Sequence, residues 1–180
     1  MQHGKKNNKT QYSSKRTDFG VSSMVSRLKT VGMLKPMEAL KRADPDKWHY
    51  GKAFDPSKIE SNYSSFIKIL TRLDVEILWM TPKNNENADS IFTYDPSFMT
   101  QKGAILLSPG KPLRKGEEKI HEEFYENNNI PIIGKLSESA IAEGGDMFWI
   151  DNKTLVIGKV FRTNQISIEQ ITIILSKINL

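Results

Sequence analysis

The chain has 180 residues, 38% hydrophobic and 26% charged, with 11 Gly, 8 Pro and no Cys. That length supports one domain with a sizeable core. The missing cysteines exclude disulfides, thiolate metal sites and a cysteine nucleophile supplied by these residues.

The net charge of +5 sits at the N-terminus, where residues 1–30 hold seven of the 26 basic residues and only Asp18 of the 21 acids. The body is close to neutral, which argues against nucleic acid as its partner. No apolar run approaches the roughly 18 residues that span a bilayer, and no apolar segment follows the N-terminal charges, so no membrane partner and a cytoplasmic location are expected.

Residues 1–24 are rich in Lys, Asn, Ser, Thr and Gln and are expected to form a disordered basic tail, with the folded domain over 25–180. Thr30 to Leu34 reads as a strand stopped at Lys35-Pro36. The aromatic-dotted connection from Arg42 to Lys58 is long for a plain linker and suggests a packed or functional role. Ser57 or Ser61 is placed to cap the next helix, in which Tyr63, Phe66, Ile67, Leu70 and Leu73 share a face. Val75 to Met80 then reads as a strand.

Two short strands are expected over Ser90–Tyr94 and Ala104–Leu107, followed by a helix from Arg114 to Asn127. In that helix Ile120 and Phe124 form a core pair, and the acids together with His121 lie on the outer face. Ile130 to Ile133 is a strand, Met147–Ile150 and Thr154–Gly158 make a hairpin, and Ile168, Ile171, Leu175 and Ile178 mark a last helix. The order is strand, helix, strand; strand, strand, helix, strand; strand, strand, helix. It is close to a repeat of roughly 45 to 55 residues.

Charged side chains fall beside the strand ends: Asp89 and Asp95, Arg114 after a Pro-Gly-Lys-Pro loop, Glu143 and Asp146 bracketing Gly144-Gly145, and Arg162 after the last strand. Carboxylates gathered this way suit a guanidinium, whose planar donors two carboxylates can grip. Arginines near them suit the carboxylate of a zwitterion. His3, His49 and His121 show no ligand spacing, and no Gly-rich phosphate cradle follows Gly144-Gly145, so neither a metal nor a cofactor is expected.

The stretches Asp89-Ser-Ile-Phe-Thr-Tyr-Asp95-Pro, Ser108-Pro-Gly-Lys-Pro-Leu-Arg114-Lys-Gly-Glu, Glu143-Gly-Gly-Asp146 and Ile157-Gly-Lys-Val-Phe-Arg162-Thr-Asn, in that order, resemble the pentein superfamily. This is the guanidine-modifying group of dimethylarginine dimethylaminohydrolases, arginine deiminases and amidinotransferases. The resemblance implies an α/β fold, a partial pentein-type propeller of about three ββαβ units out of five. It implies a small guanidino substrate, arginine or a methylated arginine. Asp95 would hold the guanidinium, Phe92 would pack on the substrate, and Glu143 would pair with a catalytic histidine. Asp89, Arg114 and Arg162 would bind or orient the amino-acid end.

In the family a cysteine thiolate attacks the guanidinium carbon and a histidine protonates the departing amine. Water then releases a ureido product, or an acceptor amine takes the amidino group. Those two residues lie further along in the family than this chain runs, so the chain is expected to be an N-terminal part that does not catalyse alone. Tyr94 stands where relatives often carry a charge. A non-catalytic binding protein of the same fold is the other reading, supported by the basic tail and the missing nucleophile.

Overall fold

The computed structural model describes residues 18–83, 86–137 and 139–179. Three short sheets come from three successive stretches of chain. In the first, β1 (Thr30–Leu34) pairs in parallel with β2 (Glu76–Met80), Thr30 facing Glu76 and Leu34 facing Met80. Parallel neighbours require a crossover. It is made by the short helices α1 (Glu38–Lys41) and α2 (Pro45–Trp48) and by the longer α3 (Ile59–Arg72). Tyr63, Ile67 and Leu70 of α3 turn onto Met33 and Val75, at the helical spacing the sequence predicts. Phe66 and Leu73, expected on the same face, stay half-exposed. Asp55, rather than Ser57 or Ser61, caps the turn leading into this helix: its carboxylate accepts from the Ser57 N–H at 3.0 Å.

The second stretch is a complete ββαβ unit. Strand β3 (Ser97–Thr100) pairs antiparallel with β4 (Gly103–Leu106), and β4 pairs in parallel with β5 (Ile132–Lys135) across α4 (Glu117–Asn127). The strand expected at Ser90–Tyr94 is instead a 3-10 turn, Ala88–Ile91, with an irregular exit. Local bonds win there: Ser90 Oγ donates to the Asn87 carbonyl at 2.7 Å, the Phe92 N–H to Asp89 O, and the Asp95 N–H to Phe92 O. Pairing begins only after Pro96, which has no N–H to give a ladder. The expected helix start at Arg114 is likewise a separate 3-10 turn, Pro112–Arg114, cut from α4 by Gly116 at φ +99°.

The third stretch is the hairpin of β6 (Met147–Trp149) and β7 (Leu155–Ile157), followed by α5 (Gln165–Ser176). Asn164 caps α5 by accepting from the Ser167 N–H at 3.0 Å. Ile171 is fully buried against Phe98, Ile105, Leu107, Met147 and Trp149, so α5 and the hairpin share a core with the second unit. A second core joins Leu34 and Met80 to Leu106, Phe124 and Tyr125, tying the first unit to α4.

Residues 1–17 of the expected tail lie outside the described residues. Of the rest of that stretch, Phe19 and Val21 pack against these two cores. With β3 taking the place of the strand expected at Ser90–Tyr94 and the short α1 and α2 added, the succession of strands and long helices is the one the sequence predicts, a mixed α/β architecture, and the described strands form no closed sheet. Among the described residues no helix is long and apolar enough to cross a membrane.

One glycine fixes how the units meet. A Cβ on Gly144 would run into the Tyr94 carbonyl oxygen, which belongs to backbone and cannot swing away. Gly144→Ala is therefore expected to lower the unfolding free energy by about 2 kcal/mol or more in urea titration, since the strand-linking backbone must shift. A Cβ on Gly145 would meet only the end of the Asp95 side chain, at 3.2 Å. Gly145→Ala is expected to cost distinctly less.

Candidate active site

The site is assembled where three connections converge, each leaving a strand or a short turn. The segment 142–145 lies across the other two. Its Ala142 N–H donates to Ser108 O (2.9 Å), its Gly144 N–H to Asp95 O (3.1 Å) and its Gly145 N–H to the Asp95 Oδ1 carboxylate oxygen (3.3 Å). Asp146 turns the other way, accepting from Thr163 Oγ1 at 2.5 Å, while that same hydroxyl accepts from the Glu143 N–H. Asp146 thus holds the backbone in place, and Glu143 and Asp95 are the carboxylates presented to the site.

Arg114 lies beneath them. Its side chain is 3% exposed, and its guanidinium gives Nη1 to Asp95 Oδ2 at 2.5 Å. Its Nε and Nη2 both go to Glu117 Oε2, at 2.9 and 2.7 Å, and Nη2 also reaches the carbonyls of Asp89 and Phe92. Burial works against the Arg114 charge, but Glu117 and then Asp95 outweigh it and keep the guanidinium ionised. The arginine expected to meet the amino-acid end of a substrate is therefore buried in this structure. It holds Asp95 and the 89–92 turn, and its donors are taken up inside the protein. Burial pushes the Glu117 carboxyl up to about 7, against the pull of Arg114. Its Oε1 is buried without a hydrogen-bond partner.

Arg162 and Glu143 pair at 2.7 Å, with Arg162 half-exposed and the Glu143 side chain 2% exposed. Burial raises the Glu143 carboxyl above its usual range, and Arg162 pulls it back. Glu143 Oε1 is the second buried carboxylate oxygen without a partner among the described residues. The Phe92 ring is half-exposed beside Asp95, while its carbonyl is held by Arg114.

Asp89 is 5% exposed and sealed: Tyr50 donates its phenol to Oδ1 at 2.5 Å, and Lys111 Nζ reaches Oδ2 at 2.6 Å. Six expected residues thus form two direct pairs, Asp95–Arg114 and Glu143–Arg162, with Asp89 and Phe92 joined to Arg114 through their carbonyls. Reasoning from sequence did not single out Glu117, Lys111 or Tyr50. Glu117 had a signal, its i+3 spacing from Arg114 across Gly116.

His121 is not on an outer face. It is 2% exposed, with Nδ1 2.8 Å from Ser97 Oγ, which in turn lies 2.7 Å from the Tyr125 hydroxyl. Burial, helped by the nearby Arg114 charge, pushes its imidazole down to about 3 from 6.5. The folded protein holds it neutral while the unfolded chain protonates it, so His121 costs stability as pH falls from about 6.5 toward 3. Glu117, raised from 4.5, acts in the opposite sense between about 7 and 4.5. In urea unfolding as a function of pH, His121→Gln is expected to remove a slope of up to about 1.4 kcal/mol per pH unit below pH 6 relative to wild type. Parallel curves for the two proteins would contradict a buried neutral imidazole.

Comparison with known proteins follows the same residues. The model of the family described as N,N dimethylarginine dimethylhydrolase, eukaryotic, matches residues 51–176. The dimethylarginine dimethylaminohydrolase of Pseudomonas aeruginosa is 30% identical over 129 residues, 72% of this chain and 50% of that protein. An uncharacterized Bacillus subtilis protein is 28% identical over 87% of this chain and 52% of its own length. The chain spans about half the length of these curated relatives.

Among solved structures, a dimethylarginine dimethylaminohydrolase captured as a histidine-to-glycine variant adduct with S-methyl-L-thiocitrulline superposes at a TM-score of 0.72 with 28% identity, covering 85% of this chain and 59% of that one. The Pseudomonas aeruginosa enzyme, as a cysteine-to-serine variant complexed with citrulline, gives 0.70 with 26% identity, covering 86% and 59%. The N-terminal domain of a cyanobacterial arginine dihydrolase shares the fold at 0.69 with 16% identity, covering 82% and 55%. The chain belongs to the dimethylarginine dimethylaminohydrolase family, within the pentein superfamily its motifs resemble.

Proposed function

We propose that this chain is the N-terminal part, residues 25–180, of a pentein-type guanidine-modifying hydrolase, comprising about three ββαβ units of a five-unit propeller. Its substrate is an arginine-type guanidine, and hydrolysis is the reaction preferred over amidino transfer. The observation that carries this is the arrangement of two carboxylates. Asp95 is fixed from one side by the buried Arg114 and from the other by the Gly145 N–H, and Glu143 keeps one buried oxygen without a partner. A guanidinium presents planar donors to Asp95, and the free oxygen of Glu143 suits the N–H of an imidazole that acts as general acid. Phe92 offers an exposed ring to the face of the planar cation.

In the reaction so read, a thiolate adds to the guanidinium carbon and the amine departs with a proton from the imidazole. Water then adds to the amidino–thioether carbon, expelling the thiolate and leaving a ureido product. The 180 residues contain no cysteine, so this reading requires a thiolate supplied from outside them. That same observation favours the second reading, a binding protein that keeps the guanidinium site without the chemistry.

The test is to read the coding region past Leu180 and assay the product of the whole reading frame for citrulline release from dimethylarginine and arginine. Downstream histidine and cysteine codons with measurable release are expected. Asp95→Asn in that protein is expected to lower kcat/KM by about 100-fold or more, through loss of the charge that orients the guanidinium. A stop codon after Leu180, or release unaffected by Asp95→Asn, would overturn the hydrolase reading.

A further inference from the structure

Glu117 has no part in the scheme above, yet a single side chain joins it to Asp95. Arg114 gives Nε and Nη2 to Glu117 Oε2 at 2.9 and 2.7 Å, and Nη1 to Asp95 Oδ2 at 2.5 Å. One guanidinium thus stands between two carboxylates, and the trio carries one negative charge in excess. The neighbouring acids have no such excess, since Glu143 pairs with Arg162 at 2.7 Å and Asp89 with Lys111 at 2.6 Å.

That excess can be reached from one end only. The side chains of Arg114 and Glu117 are 3% and 1% exposed, whereas that of Asp95 is 19% exposed. Asp95 also has acceptor capacity to spare. It accepts from Arg114 and from the Gly145 N–H, and an ionised carboxylate has about four acceptor positions. Were Glu117 uncharged, Asp95 and Arg114 would form a neutral pair, and a cation arriving at Asp95 would meet the Arg114 charge unopposed. In a buried setting, charges several ångströms apart still act strongly on one another.

Resting on the guanidinium-receptor reading of Asp95, we propose that Glu117 is a positioning residue for ligand binding. Its carboxylate holds and offsets the Arg114 charge, which leaves Asp95 electronegative toward an incoming guanidinium. Proton uptake by Glu117 removes that support. Oε1, buried without a hydrogen-bond partner among the described residues, is the atom that takes the proton. The groups that act on Glu117 are Arg114, Asp89 and Asp95, with Tyr50 hydrogen-bonded to Asp89. His121, one turn along α4, is held neutral. Burial, opposed by Arg114, places the Glu117 carboxyl at about 7. The excess charge is therefore complete above that pH and is lost below it, so guanidinium affinity rises as the pH passes through 7.

The experiment uses the protein expressed from the whole reading frame, titrated with methylguanidinium by ligand-observed NMR between about pH 5.5 and about pH 8.5. Wild type, Glu117→Gln and Asp95→Asn are compared; glutamine keeps an oxygen for Arg114 and removes the charge. Wild type is expected to bind at least about 10-fold more tightly than Glu117→Gln at the upper end, with the two converging at the lower end. A ratio of the two affinities that does not change with pH, while Asp95→Asn abolishes binding, overturns the role of Glu117 and leaves the guanidinium site standing. If Glu117→Gln fails to fold, Glu143→Gln decides, because it lacks the other carboxyl that burial raises. Affinity that still rises through pH 7 in that variant supports the role of Glu117, and a flat profile overturns it. Binding unaffected by Asp95→Asn, or no binding to wild type, overturns the guanidinium site and this proposal together.

Discussion

The buried guanidinium of Arg114 is the interaction on which the rest of the site depends. It bridges Asp95 and Glu117 and reaches the carbonyls of Asp89 and Phe92, so four otherwise separate groups take their positions from one side chain. Removing one partner of a buried charge pair leaves the other desolvated and uncompensated, typically at a cost of about 3–5 kcal/mol. An exposed pair such as Lys135–Glu122 is worth about 1 kcal/mol or less. The disparity separates the ion pairs that shape this molecule from those that decorate it. A fork of five donors is needed to reach so many acceptors at once, which an ammonium cannot do.

Around that clasp the fold supplies rigidity. Phe124 and Tyr125 of α4 pack under β1 and β4, which sets the helix whose first turn carries Glu117. The 142–145 segment is pinned by hydrogen bonds to Ser108 and Asp95 and passes so close to Tyr94 that only glycine fits at 144. The carboxylates are thus displayed from loops whose backbone is bonded on both sides, the arrangement that gives a binding site precision.

Much of this was legible in the sequence. Apolar spacing gave α3, α5 and the hairpin, and the strand–helix order gave the mixed α/β architecture, because these signals are local. The failures are local too, in the opposite sense. Ser90–Tyr94 has strand composition but spends its polar groups on a turn, and a preference that weak yields to side-chain bonds and to Pro96.

Burial on α4 was misjudged for another reason. Glu117 and His121 look like solvent-facing residues in a run of acids, and they are buried because Arg114, three residues before Glu117 across Gly116, and Ser97, on a strand before the helix, hold them. No periodicity reports a partner such as Ser97. Lys111 was missed similarly: its ammonium is defined by Trp48, Tyr50 and Asp89, three contacts made across long stretches of sequence.

The central claim is that Asp95, held between Arg114 and the Gly145 N–H, is a preformed receptor for a guanidinium. The most direct measurement is a 15N-resolved titration of the chain with methylguanidinium, following the Gly145 amide. Saturable shifts centred on Gly145, Asp95 and Phe92 are predicted, with tetramethylammonium, which has the charge but no donors, leaving them unmoved. Equal shifts from both cations, or shifts that avoid these three residues, would contradict the account.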